Sequence, residues 1–374
     1  MPSAADNPLL PYVDRVLALG APGSRPAATA LGVQRDSTRH VAVGGWAQLP
    51  STAGPGVPMW RAALVDLASV TKLAVTTTLA MQLVAEGVLA LEEPVAAYVP
   101  QFVRGDVTLE DLLTHTAGLQ PWWPLYCAAG DPIDICCDVA PATERGRQFC
   151  YSDLGVLLAG AMVSAAAGEP LDVAFADRVA GPLGLSARFG PLDPSLAAAG
   201  ADSDGYEYAM LATGRPHPVP FGPQDFAGWR AGLVRGEVSD GNAAHAFGGG
   251  AAHAGLFASV DDLLTLGSAL RDGTLVPRAV LERFARPSPL HPAQAVGFRR
   301  RQLPDGTTVL EHPGFTGSYL GFVLERPLVV AAAATRLHGT VGGLPHVLPQ
   351  DLPATIATRE VVEVAWHGVQ AMGG

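Results

Sequence analysis

Ser69 and Lys72 stand three residues apart in Leu67-Ala68-Ser69-Val70-Thr71-Lys72, and Lys72 is the only lysine in a chain of 374 residues. Of the 24 lysine and arginine side chains, all the others are arginines. Arginine keeps its proton in proteins, whereas a desolvated lysine can give it up near neutral pH. A site that needs a cation able to accept a proton therefore cannot substitute arginine. A serine one turn from such a lysine is a candidate nucleophile with a base beside it. The chemistry open to this pair is attack on an ester or amide carbonyl through an acyl-enzyme.

Three later segments carry groups that suit the same chemistry. They are Leu112-Leu113-Thr114-His115-Thr116-Ala117-Gly118-Leu119, then Tyr151-Ser152-Asp153, then His312-Pro313-Gly314-Phe315-Thr316-Gly317-Ser318. Unperturbed lysine and tyrosine both titrate near about 10. A lysine cation lowers the pKa of a neighbouring phenol, and burial lowers that of the lysine, so either Lys72 or Tyr151 can serve as base. No G-x-S-x-G serine motif accompanies a His-Asp pair, so a Ser-His-Asp triad is not signalled.

In this order the segments resemble the serine β-lactamase and penicillin-binding-protein superfamily. Within it they are most similar to the class C β-lactamase and family VIII esterase branch, which carries S-x-x-K, a Y-x-N-like element and a K-T-G or H-x-G element. The resemblance runs from about Val41 to His338 and includes Asp66-Leu67-Ala68-Ser69, Arg235-Gly236-Glu237-Val238 and His253-Ala254-Gly255-Leu256-Phe257. It implies Ser69 as the acylated nucleophile, Lys72 as the residue that takes or relays its proton, and Tyr151 as the group that protonates the leaving atom. The backbone N–H groups of Ser69 and Phe315 would form the oxyanion hole. Gly314 would let its strand pass close to the substrate. Two departures bear on substrate. His312 stands where the β-lactamase pattern has lysine, and Asp153 stands where asparagine is usual. A neutral imidazole holds a carboxylate less well than an ammonium, and Arg336 is the candidate replacement. A carboxylate at Asp153 would keep Lys72 charged and favour Tyr151 as base, although Asp153 could instead only cap the following helix. Trp122 and Trp123, adjacent indoles beside prolines, suit a pocket rim, with core packing as the alternative. His115 and His253 are read as structural.

These residues need elements to hold them. Residues 69 to 86 have helical spacing and Gly87 as a stop, which places Ser69 at a helix start with Lys72 on the same face. Helices are also expected at 8–19, 153–168, 260–270 and 353–372, and the first turn at Thr108 carries a capping pattern with Asp111 in the usual glutamate position. Strands are expected at 39–49, 60–65, 256–258, 307–311, 318–324 and 328–334. The stretch 190–235 reads as loop. Strands at both chain ends flank a helical insert, so the expected fold is α/β (α+β), an antiparallel sheet flanked by helices, β-lactamase/transpeptidase-like. One lobe would comprise 1–105 with 245–374 and the other, mainly helical, 106–244, with the active site between them.

Composition sets the outer limits. The chain is 48% hydrophobic and 16% charged, with a net charge of −11. That charge disfavours nucleic acid as a partner. The one basic run, Arg299-Arg300-Arg301, reads as a solvated hairpin. No secretory leader and no apolar run long enough to span a bilayer is apparent, so a soluble cytoplasmic protein is expected, without a membrane partner. Cys127, Cys136, Cys137 and Cys150 lack zinc-ligand spacing and read as free thiols, a disulfide or redox role being the alternative. Neither a metal nor an organic cofactor is required. The expected activity is hydrolysis of a small-molecule ester or amide. The alternatives are an acyltransferase passing an acyl group from an ester or thioester to an amine, a β-lactamase or D-peptidase, and a non-catalytic binding protein on the same scaffold.

Overall fold

The computed structural model describes residues 7–51, 54–339, 348 and 350–373. A seven-stranded sheet runs in the order Val57–Pro58, Thr38–Gln48, Ala28–Arg35, Leu328–Ala334, Tyr319–Val323, Thr308–Pro313, Arg299–Gln302. All neighbours are antiparallel. The first and last segments of the chain meet in its centre, where Leu31 pairs with Ala332. Leu328–Ala334 is buried along its whole length, so it shows no alternation. The reason is that both faces of the sheet are covered. Leu10–Leu17 and Thr358–Ala371 pack on one face through Val13, Val16, Val361 and Trp366. Val260–Arg271 covers the other, with Leu263 and Leu264 in the main core.

That core continues from Ala30 of the sheet through Leu73 and Leu79 to Leu112, Leu154 and Leu158 of the helical segment. The helix carrying Lys72 lies between them. Its first part, Lys72–Thr77, is wound as a π-helix, and Thr78–Ala85 continues it as α-helix. The capping pattern at Thr108 forms as expected: Thr108 Oγ1 accepts from Asp111 N and Asp111 Oδ2 accepts from Thr108 N. Asp153–Ala167 is capped by Ser152, whose Oγ accepts from Gly155 N at 3.0 Å.

Three expectations are corrected. Ala28–Arg35 is a central strand that sequence reasoning overlooked, because its small residues Ala28, Ala30 and Gly32 lack the β-branched signature. The 60–65 run is not one strand, since a turn at 61–62 separates Val57–Pro58 from Val65–Asp66. The stretch 190–235 is not simply loop: it holds the helix Gly205–Thr213 and a strand pair, Ala199–Ala201 with Val234–Arg235. That helix buries the polar Glu207 beside Ala209, Met210 and Leu211, which erases the apolar period that would have announced it. No single helix among the described residues is long and apolar enough to cross a membrane.

Candidate active site

Ser69 sits at the mouth of its helix because the chain enters through a strained turn. Ala68 has φ of 43°, a left-handed conformation that a non-glycine residue adopts only when held. Buried Asp66 does the holding: its Oδ1 accepts from Ala68 N at 2.9 Å and its Oδ2 from Ser239 N at 2.7 Å. One turn on, Lys72 is 3% exposed. Its Nζ donates to Ser69 Oγ at 2.8 Å and to the His253 carbonyl at 3.0 Å, and pairs with Asp153 Oδ1 at 2.7 Å. Burial pushes the Lys72 pKa down, but Asp153 and Tyr151 outweigh it, so the net shift is upward.

The Tyr151 ring lies 5.3 Å from Lys72 Nζ and 5.5 Å from the Arg299 guanidinium. His115 packs against it at 4.5 Å between centroids and His312 at 6.2 Å. Both imidazoles are neutral at ordinary pH. Burial, then the charges of Lys72 and Arg299, holds His115 down at about 3 and His312 well below its usual value. His312 Nδ1 lies 2.9 Å from the Pro313 carbonyl, which fixes the proton on Nδ1 and leaves Nε2 as an acceptor.

The strand turn at 314–318 is pinned onto the nucleophile segment. Ser318 Oγ donates to Leu67 O at 2.5 Å and Thr316 Oγ1 to Asp66 O at 2.8 Å. A Cβ at Gly314 would lie 2.3 Å from Leu67 O and 2.0 Å from Ser318 Oγ, so only glycine permits this approach. Neither Ser69 N–H nor Phe315 N–H has a protein acceptor among the described residues. Two such donors on adjoining segments can receive a developing oxyanion.

A second layer supports Lys72 from below. His253 Nε2 lies 3.0 Å from Asp240 Oδ1. Burial raises Asp240, but the interaction with His253 and the charge of Lys72 hold it down at about 2. Asp153, Asp240 and His253 present ligand-type atoms within 4.8 Å of one another, with Lys72 already paired to Asp153.

The structure brings Ser69, Lys72, Tyr151, Asp153, His312, Gly314 and Phe315 together. It settles Asp153 as the partner of Lys72, since Ser152 caps the helix. It gives three further residues their surroundings. Trp122 is core, 5% exposed and packed with Met210 and Leu211, not rim. Trp123 is half-buried and edge-on to Phe221 at 5.7 Å, and its carbonyl accepts from Asn242 Nδ2. Arg336 donates to the Ile356 carbonyl and lies over the Phe315 ring at 5.7 Å, while its buried Nε has no hydrogen-bond partner among the described residues. Arg299 is the residue that sequence reasoning missed. It is exposed, beside Tyr151, and without a carboxylate partner among the described residues. The strand register supplies the signal, because Arg299 pairs with Glu311, the neighbour of His312. The four cysteines are free thiols.

A pinned nucleophile, a buried lysine one turn on and a glycine strand edge define a serine acyl-transfer fold. The Beta-lactamase family model matches residues 14–346, and the chain belongs to that family of serine hydrolases. Esterase EstB of Burkholderia gladioli is 31% identical over 309 residues, 76% of this chain and 72% of the esterase. An N-acetylmuramyl-L-alanine amidase of Bacillus subtilis (strain 168) is 29% identical over 263 residues, 63% of this chain and 58% of the amidase. A putative D-alanyl-D-alanine carboxypeptidase of Escherichia coli (strain K12) is 29% identical, and there the match spans 51% of the relative. The chain thus spans little more than half the length of these last two relatives. The D-amino acid amidase from Ochrobactrum anthropi SV3 complexed with D-phenylalanine shares the fold, with a TM-score of 0.71 at 17% identity over 98% of this chain and 99% of that one.

Proposed function

We propose that this chain is a serine hydrolase that cleaves an ester or amide of a small molecule through an acyl-Ser69 intermediate. The observation that carries this reading is Lys72, held 2.8 Å from Ser69 Oγ and 2.7 Å from Asp153. An ammonium that donates to Ser69 cannot also take its proton. The proton therefore passes to the Tyr151 oxygen, which lies in the field of the Lys72 cation. Ser69 Oγ bonds the carbonyl carbon while Ser69 N–H and Phe315 N–H receive the oxyanion. Tyr151 returns the proton to the leaving oxygen or nitrogen as the bond to carbon breaks. Water then repeats the sequence and releases the acid. The printed activities of the relatives, amidase, carboxypeptidase and esterase, agree with an ester or amide bond.

Arg299 narrows the substrate. An exposed guanidinium 5.5 Å from the Tyr151 ring and without a carboxylate partner among the described residues suits a carboxylate on the leaving side of the bond. Neutral His312 supplies no charge there, and Arg336 turns one N–H to the Ile356 carbonyl.

The test is intact-mass analysis after exposure to activated esters and a fluorophosphonate, with and without amine acceptors. A single adduct on wild type that Ser69→Ala lacks supports the reading, and no adduct with any donor overturns it. Faster discharge by amines than by water would replace hydrolysis with acyl transfer. For the substrate, Arg299→Gln should raise KM about 10-fold or more for a carboxylate-bearing amide while leaving a neutral ester unchanged, the loss of a charge-assisted hydrogen bond. Equal effects on both would remove Arg299 from substrate binding.

A further inference from the structure

His115 does more than fill space beside Tyr151. Its backbone has φ of 59°, the left-handed region, so the residue is held in a conformation few side chains favour. Its carbonyl accepts from Cys150 N at 2.9 Å and its Nδ1 accepts from Ser152 N at 3.2 Å. One residue thus takes the N–H on either side of Tyr151. Its ring meanwhile lies against the phenol at 4.5 Å, with Phe149 edge-on behind it at 5.9 Å. Ser152 is fixed again by its own Oγ, which donates to Gln120 O at 2.6 Å and caps the helix that bears Asp153.

We propose that His115 is a positioning residue for Tyr151, and that the Nδ1 lone pair facing Ser152 N–H is the feature that aims the phenol at Ser69 and Lys72. The inference rests on Tyr151 acting as the proton carrier. Accepting from Ser152 requires Nδ1 without a proton, so Nε2 carries it in the neutral ring. Tyr151, His312, Lys72 and Arg299 face the imidazole, and burial first, then the two cations, disfavours the doubly protonated ring. The residue must therefore combine three properties: tolerance of positive φ, an acceptor at the δ position and a flat face. Asparagine offers the first two, because it tolerates the left-handed region and its Oδ1 can stand where Nδ1 stands. Glycine offers only the first.

The experiment compares wild type, His115→Asn, His115→Gly and Tyr151→Phe, with Ser69→Ala as the unreactive control. Acylation is followed with an activated neutral ester and a fluorophosphonate across pH, alongside thermal unfolding. A misaimed catalytic group costs about 100-fold. His115→Gly should lose roughly that in kcat with KM within about 3-fold. His115→Asn should stay within about 5-fold of wild type in kcat. In the Tyr151→Phe background the His115→Gly change should cost less than about 2-fold, because there is no hydroxyl left to aim. A folded His115→Asn protein as slow as Tyr151→Phe overturns the proposal whether or not His115→Gly folds. So does His115→Gly activity equal to wild type, or full additivity with Tyr151→Phe. If Tyr151→Phe itself acylates normally, the mechanism above fails instead.

Discussion

Asp153→Asn isolates the charge that keeps Lys72 protonated. Asp153 is 2.7 Å from Lys72 Nζ, with side chains 17% and 3% exposed, so solvent screens the pair little. Removing one partner of a buried ion pair costs about 3–5 kcal/mol, mainly by stranding the other charge. Asparagine keeps an oxygen acceptor, Ser69 Oγ and His253 O still accept from Lys72, and the Asp240 charge remains nearby. The low end, about 3 kcal/mol, is therefore expected at about pH 6. The pH dependence identifies the cause. In wild type the Lys72 pKa is raised on folding, so its contribution is complete below the unfolded value of about 10.4 and is lost only as pH rises through the folded value. Wild-type stability should therefore show no change from this group between about pH 6 and 9.5. In the variant, burial is opposed only by Tyr151 and the more distant Asp240, and the folded pKa is expected to fall below the unfolded one. The penalty is then full below that folded value and vanishes above the unfolded one. Urea unfolding of both proteins across this range should show the deficit shrinking by at least about 1 kcal/mol as pH rises. A deficit that stays constant with pH would refute the electrostatic account and assign the loss to packing.

Lys72→Arg keeps a cation but displaces a fitted ammonium with a larger fork, and single-turnover acylation of Ser69 should fall by at least about 100-fold. Gly314→Ala puts a Cβ 2.3 Å from Leu67 O, so Phe315 N–H must move. Losing one oxyanion donor predicts a drop of about 100- to 1000-fold in kcat, and an unchanged kcat would exclude Phe315 from the oxyanion hole. Glu207 is buried, accepts from Tyr126 OH and Gly241 N, and is raised to about 8 by burial first and then Asp240. Its stabilising contribution is complete below the unfolded value of about 4.3 and is lost as pH rises through about 8. Glu207→Gln should match wild type near about pH 5 and exceed it by at least about 1 kcal/mol near about pH 9 in urea unfolding.

Much of the site was legible because its geometry is local. Three residues along a helix put Lys72 beside Ser69 wherever the helix lies. Thr108 with Asp111, and the strands Tyr319–Val323 and Leu328–Ala334, also declare themselves within a few residues. The Gly205–Thr213 helix did not, because buried Glu207 interrupts its apolar period, and the Ala28–Arg35 strand did not, because its small Ala28, Ala30 and Gly32 lack a β-branched signature.

Charge and freedom were decided by partners far apart in sequence. The sequence by itself pointed to a serine, a lysine and a tyrosine as members of one proposed site of acyl chemistry. Only the tertiary structure decided that Lys72 is a buried cation, because Asp153 and the His253 carbonyl converge on it from separate elements. The same convergence commits Arg336 to Ile356, puts Trp122 in the core and leaves Arg299 open beside Tyr151. A pKa and an unpaired charge are sums over everything nearby in space, and residue spacing along the chain does not contain that sum.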